Sequence, residues 1–159
     1  MGKLTHLDER GSAIMVDVSD KSKTVREAVA RGTIKMNKDT LSTILKEGVK
    51  KGDVFGVARV AGIMAAKKTP ELIPLCHPIF LNSVKIDFEV KERLGQIDII
   101  CTTKAVDVTG VEMEAMTGVS VAALAIYDMC KALDKGITIG EIKLMKKSGG
   151  KSGTFIREE

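Results

Sequence analysis

The alternation of apolar and polar residues predicts a β-hairpin in the middle of the chain. From Val84 to Lys91 every second residue is apolar, and lysine or a carboxylate fills the positions between. The same period of two returns from Ile97 to Thr103, beyond a glycine turn. This period is typical of a strand with one buried face. We therefore predict an antiparallel hairpin over residues 84–104.

Two stretches have the apolar spacing of helices. Residues 53–68 place valine, alanine and methionine on one helical face, and two prolines end the pattern. Residues 112–133 are apolar nearly all round, so a helix there must be buried on most sides. A chain this short offers few surfaces that could bury such a helix. The pattern therefore suggests that copies of the chain associate.

The N-terminal part of the chain gives weaker signals. The β-branched run at residues 13–18 predicts a strand followed by a turn. Thr24 followed three residues later by Glu27 is typical of a capping box. We therefore predict a short helix that begins at Thr24 and that Gly32 ends.

Two further elements are predicted. A second short helix covers residues 39–46 and is ended by Gly48. A last strand covers residues 137–147, and its inward parity changes near Gly140, as a bulge would cause. The following segment contains glycine and serine, which indicates flexibility unless a ligand orders it.

The order of these elements predicts a single α+β domain over residues 1–159. A strand, helices, a hairpin, a long helix and a last strand fit an antiparallel sheet with helices packed on one face, as in ferredoxin-like folds. We expect the core at about residues 4–147 and a flexible tail over residues 148–159.

The composition is that of a globular protein. Of 159 residues, 44% are hydrophobic and 29% are charged, which argues against disorder, a collagen-like chain and a disulfide scaffold. Aromatic residues make up only 3%, so the stacking platforms that bind single-stranded nucleic acid are nearly absent. The net charge of +4 suits a small phosphate-bearing ligand better than a long polyanion, and we expect no nucleic-acid partner.

Cysteine usage and the apolar runs indicate the compartment. The three cysteines are an odd number without C-x-x-C spacing, and the start of the chain does not resemble a signal peptide. No apolar run approaches the ~18 residues that a membrane helix needs. We therefore predict a cytoplasmic protein with reduced thiols and no membrane partner.

Asp128 and Lys131 lie one turn apart on the predicted long helix, so their side chains share a face. They could form an ordinary surface ion pair. The apolar surroundings instead predict that both groups are partly buried. A partly buried carboxylate beside an ammonium has a tunable pKa, which suits proton transfer.

His77 precedes a proline, which holds it in extended geometry on a stiff segment. It could be an ordinary loop histidine, or it could bind a metal together with Cys76. The chain has two histidines and no cysteine spacing of metal-site type. We therefore predict no metal site and favour a hydrogen-bonding or acid/base role for His77.

Glu112 and Glu114 lie at the start of the long helix, where the helix dipole favours acidic side chains. Capping and ligand binding are therefore both open interpretations. Glu114 and Asp128 lie roughly 21 Å apart along the helix axis. They can serve one site only if the ligand is nucleotide-sized or if a second subunit completes the site.

Lysine pairs lie at the ends of several elements, and most such pairs are simply solvated. Lys146 and Lys147 precede the segment Gly-Gly-Lys-Ser at residues 149–152. This segment imitates the end of a P-loop but lacks its first glycine, so it is not a Walker motif. Its backbone amides and its lysine could still wrap a phosphate.

Six short motifs in a common order resemble the MoaC family over residues 4–153. They are MVDV at 15–18, KGDV at 51–54, IPLCHP at 73–78, TGVEMEA at 109–115, IYDMCK at 126–131 and KSGGKSG at 147–153.

This resemblance implies a lyase of molybdenum cofactor biosynthesis. The reaction would convert a cyclised GTP intermediate, 3′,8-cyclo-7,8-dihydro-GTP, to cyclic pyranopterin monophosphate with release of pyrophosphate. The resemblance implies no cofactor, although Mg²⁺ could accompany the triphosphate. It also implies a hexamer, built as a trimer of dimers, with active sites at the subunit interfaces.

The resemblance also implies roles for single residues. Asp128 would be the general acid/base, and Lys131 would tune it. Lys51 and Lys147 would stabilise phosphate or transfer protons, and His77 would act in catalysis and line the pocket. The further substrate-binding residues that it implies are Leu75, Cys76, Glu112, Met113 and Glu114, with Arg26 and Lys67 on the triphosphate.

Two interpretations from other classes of protein remain. The first is a non-enzymatic ferredoxin-like module that binds a nucleotide or RNA. RNA modules of that kind display aromatic side chains on the sheet, whereas the predicted hairpin has only Phe88. The second is a metal-dependent hydrolase, which the small number of ligand-type residues disfavours.

Overall fold

The computed structural model describes residues 4–47 and 53–158. Its elements in chain order are β1 (Thr24–Lys35), α1 (Lys38–Glu47), α2 (Val54–Lys67), α3 (Thr69–Leu72), β2 (Ser83–Lys91), β3 (Gln96–Asp107), α4 (Glu112–Cys130), β4 (Thr138–Ser148) and β5 (Phe155–Ile156).

The strands form one antiparallel sheet in the order β2-β3-β1-β4-β5. Helices α2 and α4 pack on one face of the sheet, with α4 against β1, β3 and β4 and with α2 against α4 and β2. This is the expected α+β, ferredoxin-like architecture. The β2–β3 pairing confirms the predicted hairpin.

Glycines allow α4 to approach both β1 and α2 closely. A Cβ atom added to Gly32 on β1 would lie 2.6 Å from Cγ1 of Val119 on α4. A Cβ atom added to Gly62 on α2 would lie 2.7 Å from the carbonyl oxygen of Gly118 on α4. These separations are shorter than carbon contacts allow, so only glycine fits at both places.

The length and apolar composition of α4 would suffice for a membrane span, contrary to the sequence expectation that no segment is long enough. Within the fold, however, its sheet-facing residues Ala115, Val119, Ala122 and Ile126 are fully buried in the core. This burial accounts for the apolar character of the helix.

The predicted helix from Thr24 to Gly32 is wrong, because these residues belong to β1. The side chains of Ala28 and Ala30 point to the core in alternation with more exposed neighbours. Both residues are small because α4 packs directly against them. The alternation of buried and exposed positions along β1 is therefore hardly visible as an alternation of hydrophobic and polar residues. The capping-box residues Thr24 and Glu27 instead lie on a strand.

The predicted strand at residues 13–18 is also wrong. In this segment only Ala13 forms a β-bridge, to Leu7, and the rest of the run pairs with no strand among the residues described. We call residues 4–23 the N-terminal segment. It passes over one end of the domain as irregular chain.

The remaining predicted elements are present, with two additions. Helices α1, α2 and α4 and strand β4 confirm the predictions, and the β1–β4 register shifts near Gly140, with Glu141 at a φ of 50°. Gly48, the predicted end of α1, lies outside the described residues. Two short elements were not predicted, α3 and β5. Strand β5 lies inside the expected flexible tail and pairs with Lys146 and Lys147 of β4.

Candidate active site

Two neighbouring cavities lie where β4 ends, α4 begins and the N-terminal segment passes across. The larger has a volume of about 710 Å³ and is called the polar cavity. The smaller has a volume of about 360 Å³ and is called the apolar cavity. Lys21, Thr109, Gly110 and Glu112 line both. The two cavities are therefore parts of one cleft.

Cations and glycine backbone line the polar cavity. The cations are Lys21, Arg26, Lys147 and Lys151, and they lie beside the carboxylates of Asp20, Glu27 and Glu112. Gly149 and Gly150 turn the chain there with φ angles of 98° and 75°, a conformation that side chains other than glycine rarely adopt. Backbone amides turned in this way, together with cations, suit the binding of a phosphate group.

Arg26 is held in one orientation by the loop before α4. Only 9% of the residue is exposed. Its Nε donates a hydrogen bond to the carbonyl oxygen of Asp107 at 3.2 Å, and its Nη2 donates to that of Val108 at 2.9 Å. Its Nη1 faces Gly150, where any Cβ atom would collide with it. Arg26 is therefore a preorganised cation in the cavity wall.

Lys147 and Glu112 form an ion pair between the end of β4 and the first turn of α4. The ammonium of Lys147 lies 3.1 Å from Oε1 of Glu112 and donates a hydrogen bond to Oγ of Ser152 at 3.0 Å. The structure thus brings together two residues that come from different sequence motifs. Ser152 connects them to the glycine-containing segment.

The apolar cavity is named for its aliphatic side chains, which lie among a similar share of polar groups. Its apolar lining comes from Val16, Val18, Leu75, Ile79 and Met113. His77, Cys76, Glu112 and Glu114 also line it. Aliphatic side chains together with convergent polar groups suit the binding of a heterocyclic ring.

His77 fastens the N-terminal segment over this cavity. Its Nε2 donates a hydrogen bond to the carbonyl oxygen of Val16 at 2.7 Å. The other described histidine, His6, lies in the N-terminal segment itself and also lines the cavity. His77 therefore lines the pocket, as the sequence motifs imply, and also shapes it.

Glu114 is the carboxyl group best suited to proton transfer near neutral pH. Burial raises the pKa of Glu114 to about 7, and the negative charges of Glu112 and Asp107 act in the same direction. Burial also raises the pKa of the Cys76 thiol, as does the charge of Glu114. Cys76 is therefore a neutral wall residue at neutral pH rather than a nucleophile.

Asp128 and Lys131 form the ion pair that their spacing predicts, but they are not partly buried. Nζ of Lys131 donates a hydrogen bond to Oδ1 of Asp128 at 2.7 Å, and this bond raises the pKa of Lys131. The side chains of Asp128 and Lys131 are 62% and 51% exposed. They lie on the face of α4 that points away from the sheet, and they line neither cavity.

The resemblance implied two other residues, Lys67 and Lys51, and the structure places neither of them in the cleft. Lys67 is exposed in the last turn of α2 and lines neither cavity. Lys51 lies outside the described residues. Sequence reasoning missed Lys21 and Thr109 as lining residues, and the only available signal was that each lies beside or within a motif.

The grouping of acidic, histidine and cysteine side chains bears on metal binding. Within residues 4–47 and 53–158, no three such side chains come close enough together to hold a metal ion. The expectation of no metal site remains a prediction.

A cleft with four cations and a glycine turn at one end, and with aliphatic side chains and a protonatable acid at the other, suits a phosphorylated heterocycle as its ligand. The MoaC family model matches residues 15–150, and the chain belongs to that family.

Relatives of known name match almost the whole chain. A protein of Pelobacter propionicus is 58% identical over 154 residues, which cover 97% of this chain and 96% of the relative. A protein of Clostridium perfringens is 58% identical over 153 residues, with 96% and 97% covered. A protein of Geobacter sulfurreducens is 58% identical over 154 residues, with 97% and 96% covered. Each is named cyclic pyranopterin monophosphate synthase.

Proposed function

We propose that this protein is a lyase of molybdenum cofactor biosynthesis. It converts 3′,8-cyclo-7,8-dihydro-GTP to cyclic pyranopterin monophosphate and releases pyrophosphate. The observation that carries this proposal is the continuity of the two cavities, because a cation-lined end and an apolar end with Glu114 match the two halves of a cyclised nucleotide. The shared name of the relatives favours this enzyme over a non-enzymatic nucleotide- or RNA-binding module.

The polar cavity would bind the triphosphate. Arg26, Lys147 and Lys151 would neutralise its charge, and the amides of the glycine turn would donate hydrogen bonds. In the reaction a sugar hydroxyl loses its proton to a basic group of the site and attacks the phosphorus next to the sugar, and the bond from that phosphorus to pyrophosphate breaks. Cations that are already in place stabilise the charge that develops on the leaving pyrophosphate.

The apolar cavity would bind the ring system during its rearrangement to a pterin. This rearrangement needs repeated proton transfers. Glu114 has the pKa for such transfers at neutral pH. Asp128 would act as the general acid/base and Lys131 as its partner. No cofactor is proposed, and Mg²⁺ would enter with the triphosphate as part of the substrate.

Association of chains would bring Asp128 and the cleft together. Asp128 lies near the opposite end of α4 from the cleft, roughly 21 Å from Glu114 along the axis. Apolar side chains remain exposed on α2 and α4, namely Val57, Val60, Met64 and Leu124. We propose a cytoplasmic hexamer, a trimer of dimers, in which Asp128, Lys131, Lys51 and Lys67 of one subunit complete the cleft of another.

The test is conversion of the cyclised GTP intermediate by the purified protein, with products identified by mass spectrometry. The expected result is cyclic pyranopterin monophosphate. Mixing two inactive variants, Asp128→Asn and Lys147→Met, after subunit exchange tests the shared site. Activity should return in the mixture, because some clefts then combine two intact halves. A mixture that stays inactive despite proven exchange contradicts the shared site.

A further inference from the structure

We infer that Lys21 binds the phosphate next to the sugar of the substrate. The inference rests on the proposed function and adds a residue to its site. Lys21 lies on the N-terminal segment, which follows no regular secondary structure.

Lys21 lies where the two cavities join. It lines both the polar and the apolar cavity. The other residues that line both are Thr109, Gly110 and Glu112, and none of them carries positive charge. Among the residues that the structure describes, Lys21 is thus the one cation at the join of the two cavities.

The charge of Lys21 is available to a ligand, unlike the charges of two other cations in the cleft. Lys147 is paired with Glu112, and two backbone carbonyls hold the guanidinium of Arg26. In the described parts of the chain, no carboxylate forms an ion pair with the ammonium of Lys21. Lys21 can therefore neutralise a ligand anion without first losing a protein partner.

The local backbone fixes where Lys21 stands. Its N–H donates a hydrogen bond to the carbonyl oxygen of Val18 at 3.0 Å, which closes a turn. Inside this turn, the N–H of Ser19 donates to Oδ1 of Asp17 at 2.9 Å. Just before the turn, Val16 accepts the hydrogen bond from His77. The hydrogen bond from His77 thus holds the chain before the turn against the cavity wall, and the hydrogen bond from Lys21 to Val18 closes the turn itself.

The ligand geometry gives the role. A nucleotide that places its ring in the apolar cavity and its terminal phosphates in the polar cavity must carry its sugar and first phosphate past the join. An ammonium at that point binds this phosphate. It also offsets the charge on its oxygens while the new cyclic phosphodiester bond forms and the bond to pyrophosphate breaks. Lys21 is then specific for the phosphate that remains in the product.

The experiment compares Lys21→Ala with Lys23→Ala. Lys23 lies on the same segment, is also exposed and lines neither cavity. Two quantities are measured on the whole protein: kcat/KM with the cyclised GTP intermediate, and the affinities for GMP and for pyrophosphate by calorimetry. GMP carries only the phosphate next to the sugar, and pyrophosphate stands for the leaving group.

We expect Lys21→Ala to lower kcat/KM and the affinity for GMP by about tenfold or more, as for loss of a charged hydrogen bond. The affinity for pyrophosphate should stay the same, and Lys21→Arg should recover most of the loss. Lys23→Ala should behave as the wild type.

Two results overturn the inference. One is a Lys21→Ala protein that matches Lys23→Ala in both measurements, and the other is a loss of affinity for pyrophosphate alone. A wild-type protein that binds GMP but does not convert the intermediate contradicts the proposed reaction instead. In that case the GMP comparison still decides the role of Lys21.

Discussion

Nε2 of His77 donates a hydrogen bond to the carbonyl oxygen of Val16 at 2.7 Å, and this contact joins the two walls of the apolar cavity. One wall follows α3, and the other is the N-terminal segment, which pairs with none of the sheet strands in the described part of the chain. A single side chain thus shapes the part of the site that regular secondary structure does not supply.

We predict that His77→Ala releases the N-terminal segment. Amide hydrogen exchange over residues 13–23 should become faster, because the anchoring hydrogen bond is lost. His6→Ala is the control. His6 lines the same cavity, but its ring forms its hydrogen bond to the carbonyl oxygen of Ile14 within its own segment. Unchanged exchange in His77→Ala would show that the segment is held by other contacts.

Glu114→Gln should stabilise the protein at alkaline pH. The folded protein has a pKa of about 7 at Glu114, against an ordinary value of 4.5. As pH rises from about 4.5 to about 7, the unfolded chain loses this proton and the folded chain keeps it, so the wild type loses stability. The difference of on the order of 3 kcal/mol should appear at pH 8 and vanish near pH 4.

Chemical denaturation of both proteins across this pH range measures the effect. Glu89→Gln is the control, because Glu89 is exposed on β2 and lines neither cavity, so its removal should bring no gain at pH 8. Parallel stability curves for Glu114→Gln and the wild type would refute the assignment of a near-neutral pKa.

Asp128→Asn should abolish turnover and leave the fold intact. The side chain is exposed and its ion pair with Lys131 is worth at most about 1 kcal/mol. Asp87→Asn is a matched control, since Asp87 pairs with Lys85 at 2.8 Å on the surface of β2. Both variants should melt close to the wild type, and only Asp128→Asn should lose activity. Full activity in Asp128→Asn would remove it from the acid/base role.

Gly62→Ala should destabilise the contact between α2 and α4. The added methyl group would lie 2.7 Å from the carbonyl oxygen of Gly118 and would also collide with Ile86. We expect a loss of about 1–3 kcal/mol in the free energy of unfolding.

Gly56→Ala on the same helix is its control. The added methyl group there meets only the side chain of Asp53, which is exposed and can move. This variant should unfold at the wild-type denaturant concentration or slightly above it, because alanine favours helix. Equal effects of the two substitutions would mean that the helices can separate without cost.

The sequence predicts an element correctly where the buried positions of that element hold large apolar side chains. The hairpin alternates isoleucine, phenylalanine and valine with charges, and the structure confirms it. Strand β1 was not predicted because its core positions hold alanine and glycine. Small residues at every second position give too weak an alternation to distinguish a strand from a helix. Its small residues are explained only by the close approach of α4, a tertiary contact.

The site was predicted in its parts but not in its arrangement. The family resemblance implied Arg26, Lys147, Glu112 and His77, and the structure brings these residues to one cleft. The pairing of Lys147 with Glu112 depends on how β4 and α4 meet, which local patterns do not encode. Partial burial of Asp128 was inferred from apolar neighbours, but the sheet and α2 cover other sides of the helix and leave Asp128 exposed.

The most direct test of the proposed reaction follows pyrophosphate and pterin in one time course. The purified protein is given the cyclised GTP intermediate, and both products are quantified at each point, with Asp128→Asn alongside. We predict that pyrophosphate and cyclic pyranopterin monophosphate appear in equal amounts and at the same rate, and that neither appears with the variant. Pyrophosphate without the pterin, or no product from verified substrate and folded protein, would contradict it.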